Sequence, residues 1–124
     1  MADAASPAQG RDRNGPTAVF ASARCYDHSK FMDGLALNIR IHPSALSRED
    51  GIAKLRDLTK AYLNSGGMEV QYNVVSSETL RAAQKDPDSY RNLVVRIAGY
   101  SAYFVELNTD CQNDIIRRTE NAVL

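Results

Sequence analysis

No charge of either sign dominates this sequence: fifteen Lys and Arg stand against fifteen Asp and Glu, for a formal net charge of zero. Such a chain projects no long-range field toward nucleic acid or an anionic membrane, so neither is expected as a partner. Cysteine is scarce. Cys25 and Cys111 lie far apart and outside any C-x-x-C or Cys/His cluster, which leaves no disulfide framework and no metal site to expect. A reduced, cytoplasmic compartment fits that usage. Long apolar runs are missing too. Residues 1–15 have no apolar core of the kind a signal peptide needs, and nowhere is there a run of about 20 apolar residues to span a membrane. There are no internal repeats.

What is present is ordinary globular material, 44% hydrophobic and 24% charged, in 124 residues, enough for one modest domain. Residues 1–15 are small, polar and rich in turn formers, and read as an extended arm that cannot hold itself in place. Pro16 suits the first position of a helix whose apolar side is Val19, Phe20 and Ala23. From Leu35 to Ile41 apolar and polar residues alternate, predicting a half-buried strand that Pro43 stops. Ser47 and Asp50 resemble a capping box before a helix whose face is Ile52, Leu55, Leu58, Tyr62 and Leu63, closed by Gly66-Gly67. Residues 68–75 predict a strand with Val70, Tyr72 and Val74 on one face. Ser77 is placed to cap a short helix that Pro87 ends. Two strand-like stretches, 93–98 and 100–107, flank Gly99, and Asn108 is placed to cap a last helix from about Thr109. This alternation predicts an α/β fold with a small, open-edged sheet.

By pattern alone Gly99 is a turn or bulge that needs a positive φ. The residues around it say more. Residues 96–107, RIAGYSAYFVEL, followed by Gln112 and the string from Asp114 to Thr119, resemble the C-terminal signature of glycyl radical enzymes, the pyruvate formate-lyase-like family. Asn14 to Ala18, Leu37-Asn38, His42 to Leu46, Gly66-Gly67, Gln71 to Val75, Leu80 with Ala83-Gln84, and Pro87 with Tyr90 match in the same order. His42-Pro43-Ser44 and Tyr100 to Phe104 place the resemblance nearer the lyase, dehydratase and decarboxylase members.

The resemblance implies residues 16–124 as a glycyl radical domain, the C-terminal portion of a larger barrel, with Gly99 the radical residue on a loop between strands. Arg96, Ala98, Tyr100 and Ser101 are its candidate neighbours. It implies an oxygen-sensitive radical, no bound cofactor, and installation by a separate activating enzyme that uses S-adenosylmethionine and an iron–sulfur cluster. It implies a second partner, the barrel portion, whose cysteine becomes the thiyl that attacks substrate. Cys25 and Cys111 do not occupy that cysteine's place and are expected as small buried or half-buried residues. Glu69, Glu78 and Glu106 are expected on solvated faces, His28 and His42 in structural roles, Tyr100, Tyr103 and Phe104 in packing around the loop. Arg96 is expected on backbone near the loop, and Arg117 and Arg118 as holding the last helix to neighbouring surface. Two other readings stay open: a small autonomous protein that restores an enzyme cleaved at its glycine, and a non-catalytic α/β binding module in which Gly99 only makes a turn.

Overall fold

The structure is a computed structural model describing residues 5–97 and 99–124. In chain order the elements are α1 (Gly15–Ala23), β1 (Ala36–Ile41), α2 (Pro43–Leu46), α3 (Gly51–Asn64), β2 (Glu69–Val74), α4 (Ser77–Lys85), β3 (Val94–Arg96), β4 (Ser101–Tyr103), α5 (Thr109–Arg117) and β5 (Glu120–Asn121), with short 3-10 turns at 28–30, 87–90 and 104–106. The α/β expectation holds. A parallel sheet runs in the order β2-β1-β5, and β3 and β4 form a separate antiparallel hairpin.

Two apolar clusters organise these parts. Leu37, Ile39 and Ile41 on one face of β1 pack with Phe20 and Ala23 of α1 and Tyr62 of α3. Val95, Ile97 and Phe104 of the hairpin region pack with Leu80 and Ala83 of α4 and Ile115 and Ile116 of α5.

The alternation in β1 is real, but its polar face is covered as well. Asn38 is 8% exposed and Arg40 4%. The segment before α1 lies over the first: Ala5 N donates to Ala36 O, and Asn38 N donates to Ser6 Oγ. That segment, expected to need outside support, is tied to the C-terminal end as well, by Gln9 Nε2 to Asp114 Oδ1 at 2.9 Å and Thr119 Oγ1 to Asp12 Oδ1 at 2.6 Å. Arg40 Nη1 donates to the carbonyls of Ile115 and Ile116, and its Nη2 lies 3.7 Å from Glu120. Burial pulls this guanidinium below its usual pKa, and Glu120 pushes it back.

Several local expectations change. In β2 the predicted apolar face is only half-covered, with Val74 exposed, while Gln71 and Asn73 on the other face are buried, because that face carries the hairpin. In α3 Tyr62 is buried and Leu55 and Leu58 pack at the edge of the core, but Ile52 and Leu63 are exposed. The capping box does not form: Ser47 Oγ donates to Pro43 O, and Asp50 instead pairs with Lys54 at 2.8 Å. The cap of α4 is Ser76, one residue early, because Ser77 is engaged by Glu120. Pro43 opens α2, capped by His42 Nδ1, rather than merely ending a strand. The second strand-like stretch gives only β4 before a 3-10 turn takes over at Phe104. Asn108 caps α5 as expected, accepting from Cys111 N.

Candidate functional site

The site is the tip of the β3–β4 hairpin. The two strands pair Val94 with Tyr103, Val95 with Ala102 and Arg96 with Ser101. Ile97 N donates to Tyr100 O at 2.9 Å across the turn. Gly99, third of the four residues 97–100, has φ +85°, a conformation in which glycine avoids the steric cost other residues meet. A Cβ there would meet no heavy atom of the described residues within 4 Å, its chain neighbours left aside. Glycine is therefore required here by backbone angle, not by crowding from neighbours.

The base of the hairpin is anchored and its tip is open. Val95 and Ile97 are 1% and 2% exposed and Phe104 is fully buried. Gly99, Tyr100 and Ser101 are exposed. Of the aromatics expected to pack around the loop, Phe104 alone does so; Tyr103, on the hairpin face opposite to that of Val95 and Ala102, and Tyr100, in the turn, are exposed. Ala98, also a candidate neighbour, lies outside the described residues.

Polar side chains from β2 hold the hairpin to the parallel sheet. Asn73 bridges Arg96 in both directions: its Nδ2 donates to Arg96 O and its Oδ1 accepts from Arg96 N, both at 2.7 Å. Gln71 Oε1 accepts from Gly99 N at 3.2 Å and from Arg96 Nε at 3.1 Å. Gln71 is itself 6% exposed, and its Nε2 donates to Glu69 Oε1. Arg96 continues to Ser101 Oγ through Nη1 at 3.3 Å, so its partners are side chains rather than the backbone expected. Arg118 Nη1 reaches Ile97 O at 3.3 Å, tying the end of α5 to the end of β3. Behind the hairpin, Gln112 Nε2 donates to the carbonyls of Phe104 and Leu107, and Gln84 donates to Gln112 and Asn113.

Sequence reasoning named Gln71 and Asn73 only within the resemblance and gave them no part in holding the hairpin. A pair of amides two apart in a strand shares one face, and that spacing was the available signal.

The remaining candidates lie elsewhere. His28 is buried, bonded through Nε2 to Ala23 O at 2.7 Å and stacked on Tyr26. Cys25, expected to be buried or half-buried, is exposed just past the end of α1, and Cys111 is half-buried in α5. Glu69 is occupied by Gln71, and Glu106 is exposed. Among the described residues His42, Glu78 and Glu120 bring ligand atoms within 4.8 Å of one another. Glu120, however, accepts from the N–H and hydroxyl of Ser77 and faces the Arg40 cation, an arrangement that caps α4 and disfavours a second cation.

The sequence model of the family described as "Glycine radical" matches residues 1–105. The 4-hydroxyphenylacetate decarboxylase glycyl radical subunit of Clostridium scatologenes is 46% identical over 115 residues, covering 93% of this chain and 13% of that protein. The isethionate sulfite-lyase of Desulfovibrio desulfuricans is 47% identical over 126 aligned positions, covering all of this chain and 15% of the relative. Among solved structures, the glycerol-bound form of the B12-independent glycerol dehydratase from Clostridium butyricum superposes with a TM-score of 0.94 at 44% identity, over 99% of this chain and 16% of that one. The chain thus spans about a seventh of the length of these relatives, which are a decarboxylase, a sulfite-lyase and a dehydratase. A match this long, with the same backbone throughout, makes the chain a member of the glycyl radical family.

Proposed function

We infer that this chain is the radical-carrying part of a larger glycyl radical lyase, and that Gly99 bears the radical. The observation that carries the reading is the state of its α-carbon. Gly99 stands exposed at the hairpin tip, and a Cβ in place of the hydrogen that an L side chain would replace has no heavy atom within 4 Å, the residues on either side left aside. An attacking radical has an open line to it.

The step is a homolysis. An alkyl radical, generated by a separate activating protein from S-adenosylmethionine at an iron–sulfur cluster, takes one hydrogen atom from Gly99 and becomes the alkane. The unpaired electron stays on the α-carbon, where it spreads into the flanking amide nitrogen and carbonyl once the centre becomes planar. In turnover a cysteine outside this chain returns a hydrogen atom to Gly99 and becomes the thiyl, and the exchange reverses when product is released. The exposed Val94, Tyr100 and Tyr103 of the hairpin and Val74 of β2 support a barrel portion that covers the tip and keeps dioxygen from it.

Electron paramagnetic resonance of the full-length protein, activated without air, tests this. The single remaining α-hydrogen should split the signal into a doublet, and α-deuterated glycine should collapse it. Gly99→Ala should abolish it, since alanine resists φ +85° and its methyl group hinders a planar centre. Air should then cut the backbone at Gly99. A doublet that persisted in Gly99→Ala would overturn the assignment.

A further inference from the structure

Gln71 is a buried side chain whose amide oxygen meets the backbone N–H of Gly99. We propose that Gln71 is the positioning residue of the glycyl radical, fixing the Gly99 N–H and strengthening the electron donation of that nitrogen to the radical carbon. The proposal rests on Gly99 being the radical residue.

Gly99 N–H donates to Gln71 Oε1 at 3.2 Å, although Gly99 is itself exposed. Gln71 is 6% exposed, sits in a parallel strand paired in register with β1, and has its Nε2 on Glu69. Its oxygen is thus aimed by a rigid element. Arg96 Nε shares that oxygen at 3.1 Å, and the backbone of Arg96 is clamped by Asn73. The turn is therefore referenced to β2 at two points, one of them the nitrogen bonded to the radical carbon.

The chemistry needs such a fixed point. An α-carbon radical between nitrogen and carbonyl is stabilised by donation from the first and withdrawal by the second. An N–H that gives a hydrogen bond leaves its nitrogen more electron-rich, so the donor half is strengthened. At φ +85° the amide plane on the nitrogen side stands nearly perpendicular to the N–Cα–C plane, so Gly99 must rotate to become planar. With its N–H held by Gln71, that rotation falls on the carbonyl side, toward the exposed Tyr100.

The experiment compares Gln71→Met, which keeps length and removes the acceptor, with Gln71→Glu made together with Glu69→Gln, which keeps an acceptor for the Gly99 N–H and a donor–acceptor pair between positions 69 and 71. Both are made in the full-length protein. Hydrogen exchange before activation reads the bond itself: the Gly99 amide should exchange on the order of tenfold faster in Gln71→Met, the loss of one hydrogen bond. After anaerobic activation, the coupling to the N–H proton, read by electron–nuclear double resonance in light water, should shift in Gln71→Met. The radical should also decay on the order of tenfold faster there. Gln71→Glu with Glu69→Gln should restore coupling and lifetime. Unchanged exchange, coupling and decay in Gln71→Met, beside a normal wild-type doublet, would overturn the role of Gln71 alone. Absence of a doublet in the activated wild type would instead remove the radical assignment and this role with it. A decay change that Gln71→Glu with Glu69→Gln failed to rescue, with coupling unmoved, would mark Gln71 as merely structural and also overturn the proposal.

Discussion

The two halves of the domain are built by different means. Around β1, apolar side chains do the joining: Leu37, Ile39 and Ile41 meet Phe20, Ala23 and Tyr62, and parallel pairing runs unbroken from Ala36↔Glu69 to Ile41↔Val74. The hairpin has its own apolar cluster on α4 and α5, which Val75 just past β2 joins, and it meets β2 itself through polar bridges from Gln71 and Asn73, while Arg40 ties β1 to α5 and Arg118 ties the end of α5 to Ile97. A net hydrogen bond is worth only about 0.5–1.5 kcal/mol, whereas burial of one large apolar side chain is worth about 1.5–3 kcal/mol. The hairpin is thus firmly packed on its own helices and lightly fastened to the sheet.

The sharpest way to break this comparison is to empty each cluster in turn. Phe104→Ala should cost about 3–5 kcal/mol and Leu37→Ala about 2–5 kcal/mol in denaturant unfolding of the full-length protein. Their local signatures should differ. With Phe104→Ala the amides of Ile97 and Phe104, bonded to Tyr100 O and Leu93 O, should exchange well before those of β1 and β2. With Leu37→Ala protection should fall in β1 and β2 together. Equal loss across both sheets in either variant would show one cooperative core instead of two.

A smaller effect is expected at the joint. Asn73→Ala leaves both backbone groups of Arg96 without partners, at a cost of about 1–3 kcal/mol. Exchange of the Arg96 amide should quicken while the β1–β2 ladder keeps its protection. Were β1–β2 protection to fall equally, the bridge would be part of the sheet rather than a fastening on it.

The legible parts of this fold were those that local chemistry determines. Asn108 caps α5, Pro16 sits in the first turn of α1, Gly66 follows α3 with φ +99°, and the chain turns at Gly99 between two strands. Each depends on a few consecutive residues. What escaped were the faces. Period two in β1 and β2 says which residues share a side, not what covers that side, so nothing marked Asn38, Arg40, Gln71 and Asn73 as covered. Their coverings arrive from distant sequence: Ser6, the end of α5, and the hairpin. The same holds for the exposed Ile52 and Leu63 of α3, whose spacing promised a buried stripe that this length of chain does not fill. The glycine of the site was visible only because residues 96–107 resemble a family signature. Its buried acceptor was not, since a glutamine in a strand carries no mark of its partner.

The smallest expected effect lies within the first half and separates two tyrosines. Tyr62 is 1% exposed, its ring edge-on to Phe20 at 5.2 Å, and among the described residues its hydroxyl has no hydrogen-bond partner. Tyr72 by contrast shares its hydroxyl with Thr59 at 2.6 Å. Burial raises both phenols above the ordinary value of 10.0, with Tyr26 adding to the rise at Tyr62 and the Thr59 bond opposing it at Tyr72. A phenol whose pKa is raised by folding supports the folded state below that ordinary value and withdraws the support as pH climbs through the folded one. Stability should therefore fall on the alkaline side of about pH 10. Tyr62→Phe removes a buried hydroxyl that satisfies nothing, so at neutral pH it should be neutral or stabilising by up to about 1 kcal/mol. It should also make the alkaline fall shallower. Tyr72→Phe should cost about 1 kcal/mol at neutral pH, one hydrogen bond lost, while Thr59 keeps its bond to Leu55 O. Denaturant midpoints from pH 7 to 11 distinguish the two. A Tyr62→Phe variant less stable than Tyr72→Phe at pH 7 would mean that the Tyr62 hydroxyl has a partner after all, and that the first cluster, like the joint, leans on a polar contact.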